Sequence, residues 1–81
     1  MGTFNINIAD YKKSIFSGTA ESVSFSGADG VYVITENHIP FMSFVSGNKD
    51  VLIVIDGKEE KILIPNDGFC FFEDKTLNIF C

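Results

Sequence analysis

Thr3-Phe4-Asn5-Ile6-Asn7-Ile8 decides the reading of this chain, because apolar Phe4, Ile6 and Ile8 alternate with polar Thr3, Asn5 and Asn7. A period of two sends successive side chains to opposite faces of a pleated strand, so the segment is predicted to be a strand with one face buried and one wet. Working outward, strand-like runs recur at 13–16, 20–26, 31–35, 41–45, 51–56, 61–64, 69–73 and 77–81. Glycine and proline punctuate them: Ser17-Gly18, Asp29-Gly30, Ser46-Gly47, Asp56-Gly57 and Asp67-Gly68 offer positive φ, and Pro40 and Pro65 stop interior pairing. The clearest hairpin signal is Asp56-Gly57. No window places apolar residues at i, i+3, i+4 and i+7 over a useful length, so helix is predicted to be nearly absent. Short strands at even spacing predict an all-β, mostly antiparallel sandwich or closed barrel. With no repeat, linker or low-complexity tract, residues 1–81 read as one domain.

A chain of 81 residues buries only about 60–65% of its unfolded surface, enough for one core and a modest stability margin. Its 46% hydrophobic content is too high for a solvated, disordered chain. The six basic residues are all lysine, against eleven acids. Without arginine the chain lacks the planar fork that reads phosphates and bases, which argues against nucleic acid as a partner. A net charge of −5 repels anionic lipid, and no apolar run approaches the roughly 20 residues of a membrane helix. No direct lipid binding is expected, and any place at a membrane must come through another protein. Met1-Gly2-Thr3-Phe4 enters the alternation without a signal-peptide pattern, and Asn7 stands where a myristoylation signal needs Ser or Thr. A cytoplasmic location is expected.

The chemistry-bearing residues do not assemble into a site. His38 is the sole histidine, and with the distant Cys70 and Cys81 it makes no metal-ligand spacing, so neither metal nor cofactor is predicted. The two cysteines read as buried free thiols, with a Cys70–Cys81 bridge as the alternative. No serine sits in a Gly-x-Ser-x-Gly elbow, and Ser26-Gly27-Ala28-Asp29-Gly30 joins two strands rather than opening a helix that could receive a phosphate. Glu59 and Glu60, adjacent on a strand, face opposite sides and cannot share a proton-transfer task. Lys12, Lys13 and Lys58 read as solubilising charges. No catalytic residue is predicted. Pro40 holds the segment before it extended, so His38-Ile39-Pro40-Phe41 forms a stiff corner. There His38 either bonds a nearby carbonyl or meets a partner. Most of the nine phenylalanines are expected in the core. In 69–72 and 77–81, however, both faces are apolar, so either a partner or a loop of the same domain covers Phe72 and Phe80.

Taken together, Phe16-Ser17-Gly18, Glu21-Ser22-Val23, Gly27-Ala28-Asp29-Gly30 and His38-Ile39-Pro40-Phe41 resemble, in order and spacing, the N-terminal domain of the epsilon subunit of bacterial F-type ATP synthase. The likeness continues through Gly47, Asp56-Gly57 with Glu59-Glu60, and Gly68-Phe69, and so spans the whole chain. It implies a flattened sandwich of about ten strands in a non-catalytic central-stalk subunit. Such a subunit joins the gamma subunit to the c ring, couples proton transport to ATP synthesis, and sits peripherally on the cytoplasmic side of the bacterial inner membrane. By position it implies a gamma-facing surface at Asp10, His38 and Ser43. It likewise implies a ring-facing turn at Ser26, Gly27, Ala28, Asp29, Gly30 and Val31. The helical hairpin that usually follows this domain has no counterpart in the 81 residues, so the hairpin's regulatory role is not implied.

The chain departs from that pattern in three places. Val31 stands where an acidic residue is common, Val33 replaces a glycine, and Glu36-Asn37 replaces a Pro-Gly. If the ring contact needs a carboxylate, Asp29 or Glu36 is expected to supply it. Two readings outside the resemblance share the same sequence features. One is a general β-sandwich adaptor; the other is a barrel that binds a small molecule and requires an internal cavity.

Overall fold

Phe4–Ala9 forms strand β1, and its burial alternates as its sequence does: Phe4, Ile6 and Ile8 lie inside while Asn5 is exposed and Asn7 half-exposed. The computed structural model describes residues 2–81. After β1 come β2 (Ser14–Ala20), β3 (Ser22–Gly27), β4 (Gly30–Thr35), β5 (Phe41–Val45), β6 (Lys49–Ile55), β7 (Lys58–Ile64), β8 (Gly68–Glu73) and β9 (Thr76–Phe80). The nine strands among the described residues are one fewer than the family resemblance implies. They form a sandwich of two sheets, ordered β2-β1-β9-β8-β5 and β4-β3-β6-β7. β1 and β9 run parallel, and the other pairings are antiparallel.

The two inner faces meet in one apolar cluster. Ile6, Ile8, Leu77 and Ile79 come from the first sheet, and Val23, Phe25, Ile34, Ile53 and Ile64 from the second. Each such side chain contributes about 1.5–3 kcal/mol by leaving water, which outweighs the weak pairing preference of any one strand. No polar side chain among the described residues is buried, so the core carries no desolvation cost of that kind.

Two turns place both central residues at positive φ, the geometry that matches strand twist in a two-residue hairpin. Asp56 (φ 52°) and Gly57 (φ 74°) do so between β6 and β7, where the sequence points most clearly to a hairpin. Asp74 (φ 53°) and Lys75 (φ 57°) do so between β8 and β9 without a glycine. Ser17-Gly18, expected as a turn, instead lies within β2, with Gly18 opposite Ile6 of β1. The chain changes sheets three residues later, at Glu21, whose N–H donates to the carbonyl of Val54 at 2.7 Å. A full-length partner strand overrides the local preference of a glycine, since each ladder position satisfies backbone groups that burial would otherwise leave bare.

Candidate functional site

The outer face of the five-stranded sheet divides in two, and the strand register explains the division. Phe44 of β5 lies opposite Phe69 of β8, and Phe69 opposite Phe80 of β9, giving an aromatic row across three strands. One step along, Met42 lies opposite Phe71, Phe71 opposite Asn78, and Asn78 beside Asn7 of β1. The β5/β8 half is therefore apolar. The β1/β2 half is polar and internally bonded: the Ser17 hydroxyl donates to Asn7 Oδ1 at 2.8 Å, and Asn7 Nδ2 donates to Asn78 Oδ1 at 3.3 Å.

On the apolar half Met42 is 74% exposed, Phe69 50% and Phe80 42%. The rings form a connected surface: Phe69 and Phe80 are 5.8 Å apart and tilted, and Phe71 and Phe80 are 6.0 Å apart and stacked. Two depressions bracket the rings. One, of about 470 Å³, is lined by Ala9, Asp10, Tyr11, Asp67, Phe69 and Phe80, among others. The other, of about 340 Å³, is lined by Pro40, Phe41, Met42, Phe71, Phe72 and Glu73. A contiguous patch of phenylalanine and methionine with hollows at its margins has the composition of an interface centre, where burial against a partner replaces unfavourable hydration. Across β5 and β8 the outward residues Met42, Phe44, Phe69 and Phe71 carry no charge, and the one ionisable group in these stretches, the Cys70 thiol, faces the core.

The positions singled out in the sequence lie around this face. Asp10 follows β1 at the rim of the larger hollow, and its Oδ1 accepts the N–H groups of Lys12 (2.7 Å) and Lys13 (2.8 Å). Those two hydrogen bonds hold its carboxyl below the usual aspartate value of 3.8. His38 stands in the β4–β5 connection, where its Nδ1 is 2.7 Å from the carbonyl oxygen of Ile39. Its ring lies 4.8 Å from that of Phe41 and 6.2 Å from that of Phe72, next to the smaller hollow. Ser43 shares β5 with Met42 and Phe44 but alternates to the other side of the sheet, opposite Cys70. Ser26, Gly27, Ala28, Asp29, Gly30 and Val31 form the tip of the β3–β4 hairpin, which is not part of the aromatic face. Glu36, the alternative carboxylate to Asp29, lies beyond the other end of β4 and pairs with Lys75 at 3.6 Å.

Of the two phenylalanines left open between partner and loop, Phe72 is in the core, edge-on to Phe4 at 5.6 Å, and Phe80 is on the outer face. Met42, Phe44 and Phe69 were visible in the sequence only as strand residues. The alternation Met42-Ser43-Phe44 separates the faces of β5, but the apolar run 69–72 hides those of β8 until its partners are known.

Both cysteines are free, and Cys70 is buried as expected, but Cys81, expected buried as well, is half-exposed at the end of the last strand. Burial pushes the Cys70 thiol up to about 11, and burial followed by the nearby Asp10 charge raises that of Cys81. At pH 8 a thiol reagent is expected to modify Cys81 first and Cys70 only when the protein is unfolded. Two equally fast thiols in the native protein would contradict the buried position of Cys70. Among the described residues no three His, Cys, Asp or Glu side chains stand together as a metal-binding group, and no helix is long and apolar enough to cross a membrane.

Residues 3–81 match the family described as "ATP synthase, Delta/Epsilon chain, beta-sandwich domain". The chain is 25% identical over 79 residues to the ATP synthase epsilon chain of Rhodopseudomonas palustris (strain BisA53), covering 98% of this chain and 57% of that one. It is 27% identical over 79 residues to the ATP synthase epsilon chain of Chromohalobacter salexigens, covering 98% and 55%. The chain thus spans little more than half the length of these relatives. Among solved structures, a chain from the cryo-EM structure of the Euglena gracilis mitochondrial ATP synthase, OSCP/F1/c-ring, superposes with a TM-score of 0.81 at 13% identity. That match covers 93% of this chain and 48% of the other, a likeness of fold. With the family match running from the first strand to the last residue, the chain belongs to the delta/epsilon-chain β-sandwich domain family of ATP synthases.

Proposed function

We propose that this domain is a non-catalytic part of the central stalk of a proton-translocating ATP synthase. In this reading its aromatic face grips the gamma subunit and the β3–β4 turn rests on the c ring, so that proton movement is coupled to ATP synthesis through a rigid joint. The complex holds the domain at the cytoplasmic side of a bacterial inner membrane, without lipid contact of its own. The observation that carries the reading is the row Phe44, Phe69 and Phe80 with Met42 beside it, an apolar surface that the fold itself leaves uncovered. Asp10 at one bracketing hollow and His38 next to the other support the same orientation toward gamma. Ser43 fits it less directly, as a β5 residue behind the face. At the ring end, Asp29 is the carboxylate at the turn tip, since Glu36 is engaged with Lys75 at the far end of β4.

The test is binding of this chain to the gamma subunit of the same organism. Met42→Asp combined with Phe69→Asp places two charges in the contact. It is expected to weaken association by more than about 100-fold, as loss of a central anchor does, while the circular dichroism spectrum and thermal midpoint stay close to those of the parent. Parent protein that ignores gamma but captures another protein through the same face would instead support a general adaptor. Unchanged gamma binding in the double variant would remove the face from the account.

A further inference from the structure

Every open sheet invites a further strand at its edge, and natural proteins block this with charge, bulges or cover. Two of the four edges here are blocked along their length and a third is covered at one end. β7 carries Lys58-Glu59-Glu60-Lys61. β2 is bulged against β1 at Ala9 and is built largely of serine, glycine and threonine. β5 is covered at its end by β3: the N–H of Ser46 donates to the Ser26 carbonyl at 2.8 Å, and a methyl group on Gly27 would stand 3.2 Å from the Phe44 carbonyl oxygen. β4 has none of these protections. Gly-Val-Tyr-Val-Ile-Thr contains no charge and no bulge, and its outward Val31 and Val33 are 71% and 57% exposed.

The register shows which backbone groups are open. Gly27 pairs with Gly30 across the two-residue turn, and the Ser26 carbonyl turns away from β4 to accept the Ser46 N–H, so alternation makes Phe25–Tyr32 and Val23–Ile34 the bonded pairs. Val31 and Val33 therefore direct their N–H and C=O groups away from β3. The Thr35 carbonyl, next in that row, already accepts the N–H of His38 at 3.1 Å. Among the described residues no backbone bond outside the β3–β4 ladder reaches Val31 or Val33.

We propose that β4 pairs with β4 of a second copy of this chain, antiparallel about a two-fold axis at Tyr32, joining the two four-stranded sheets into one of eight. In that register Val31 faces Val33 of the second copy and Val33 faces its Val31. Each pair exchanges two backbone bonds, so all four open groups on each strand are used. The occupant is a second copy because this strand is complementary to itself: the two-fold axis brings each open donor to an open acceptor, sets valine against valine and opposes no like charges. Assembly stops at two, because the remaining edge of the joined sheet on either side is the charged β7. A single strand pair covers less than the about 1,200 Å² of a stable interface, so the dimer forms only at high protein concentration. The pairing uses the strand leading out of the proposed ring-facing turn and leaves the aromatic face free, so the free subunit is the form that dimerises.

Sedimentation velocity on this chain from low micromolar to millimolar concentration tests the proposal, together with amide exchange measured by NMR at both ends of that range. The expected result is a monomer that becomes a dimer as concentration rises, with the Val31 and Val33 amides turning protected in step. Val33→Lys is expected to weaken dimerisation at least 10-fold, and Val33→Thr to preserve it. The exchange measurement reads the unmodified chain and so stands even if the lysine variant fails to fold. A monomer throughout, or a dimer in which those amides still exchange freely, overturns the proposal. A dimer abolished by Met42→Asp rather than by Val33→Lys also overturns it and assigns self-association to the aromatic face.

Discussion

Gly68→Ala is expected to lower the thermal midpoint by about 12–24 °C, the shift that about 3 kcal/mol produces in a domain of this size. Gly68 opens β8 directly against the end of β9, and a methyl group there would overlap the backbone carbonyl of Phe80 and crowd the Cα of Cys81. These are backbone atoms, so the strain cannot be relieved by a rotamer change. It must part β8 from β9 at the Phe69–Phe80 pair, which also anchors the aromatic row. Gly18→Ala is the internal comparison. Its new methyl would lie 3.5 Å from the Phe16 ring, an ordinary contact, and the reduced freedom of the unfolded chain offsets any small loss. Calorimetry on the two variants checks the claim. A similar midpoint for both would mean that the β8–β9 approach is looser than the structure has it.

Phe25→Ala is expected to cost about 3–5 kcal/mol, a large part of the about 4–12 kcal/mol available to a chain of 81 residues. Phe25 is the largest of the fully buried side chains, and Tyr32 stacks on it at a centroid distance of 5.5 Å. Truncation removes the transfer free energy of the ring and leaves a void that β-strands locked in register cannot close. Urea denaturation should show a marginal or unfolded protein. Phe69→Ala on the outer face should change stability by less than about 0.5 kcal/mol. The pair separates phenylalanines that hold the fold together from those the fold leaves exposed on its outer face. A large loss at Phe69 would mean that the aromatic row supports the sandwich rather than serving a partner.

Much of this was legible in order along the chain. Phe4-Asn5-Ile6-Asn7-Ile8 identifies a half-buried strand because pleating is a local property, and the Asp56-Gly57 hairpin is legible because positive φ is a local demand on residue type. Asp74-Lys75 makes the same turn with residues that do not advertise it, held by the five paired positions of β8 and β9. Ser17-Gly18 advertises a turn it does not make, because β1 pairs with β2 across it. The proposed ring-facing and gamma-facing positions rest on family resemblance, since Asp10 and His38 carry no chemistry of their own that marks an interface.

Residue order alone was enough to read an all-β chain of short strands with an apolar surplus, and of its five expected glycine turns two, at Gly30 and Gly57, take positive φ. Strand pairing was needed to show that Phe72 faces inward while Phe69, Phe71 and Phe80 face out. It also decided that β1 runs parallel to β9, with Asn5 beside Thr76. The reason is that alternation tells two faces of a strand apart without saying which is inside when both are apolar. That choice is made by pairing between segments up to 71 residues apart in the chain, as Asn7 and Asn78 are, where a shift of one residue would exchange core for surface.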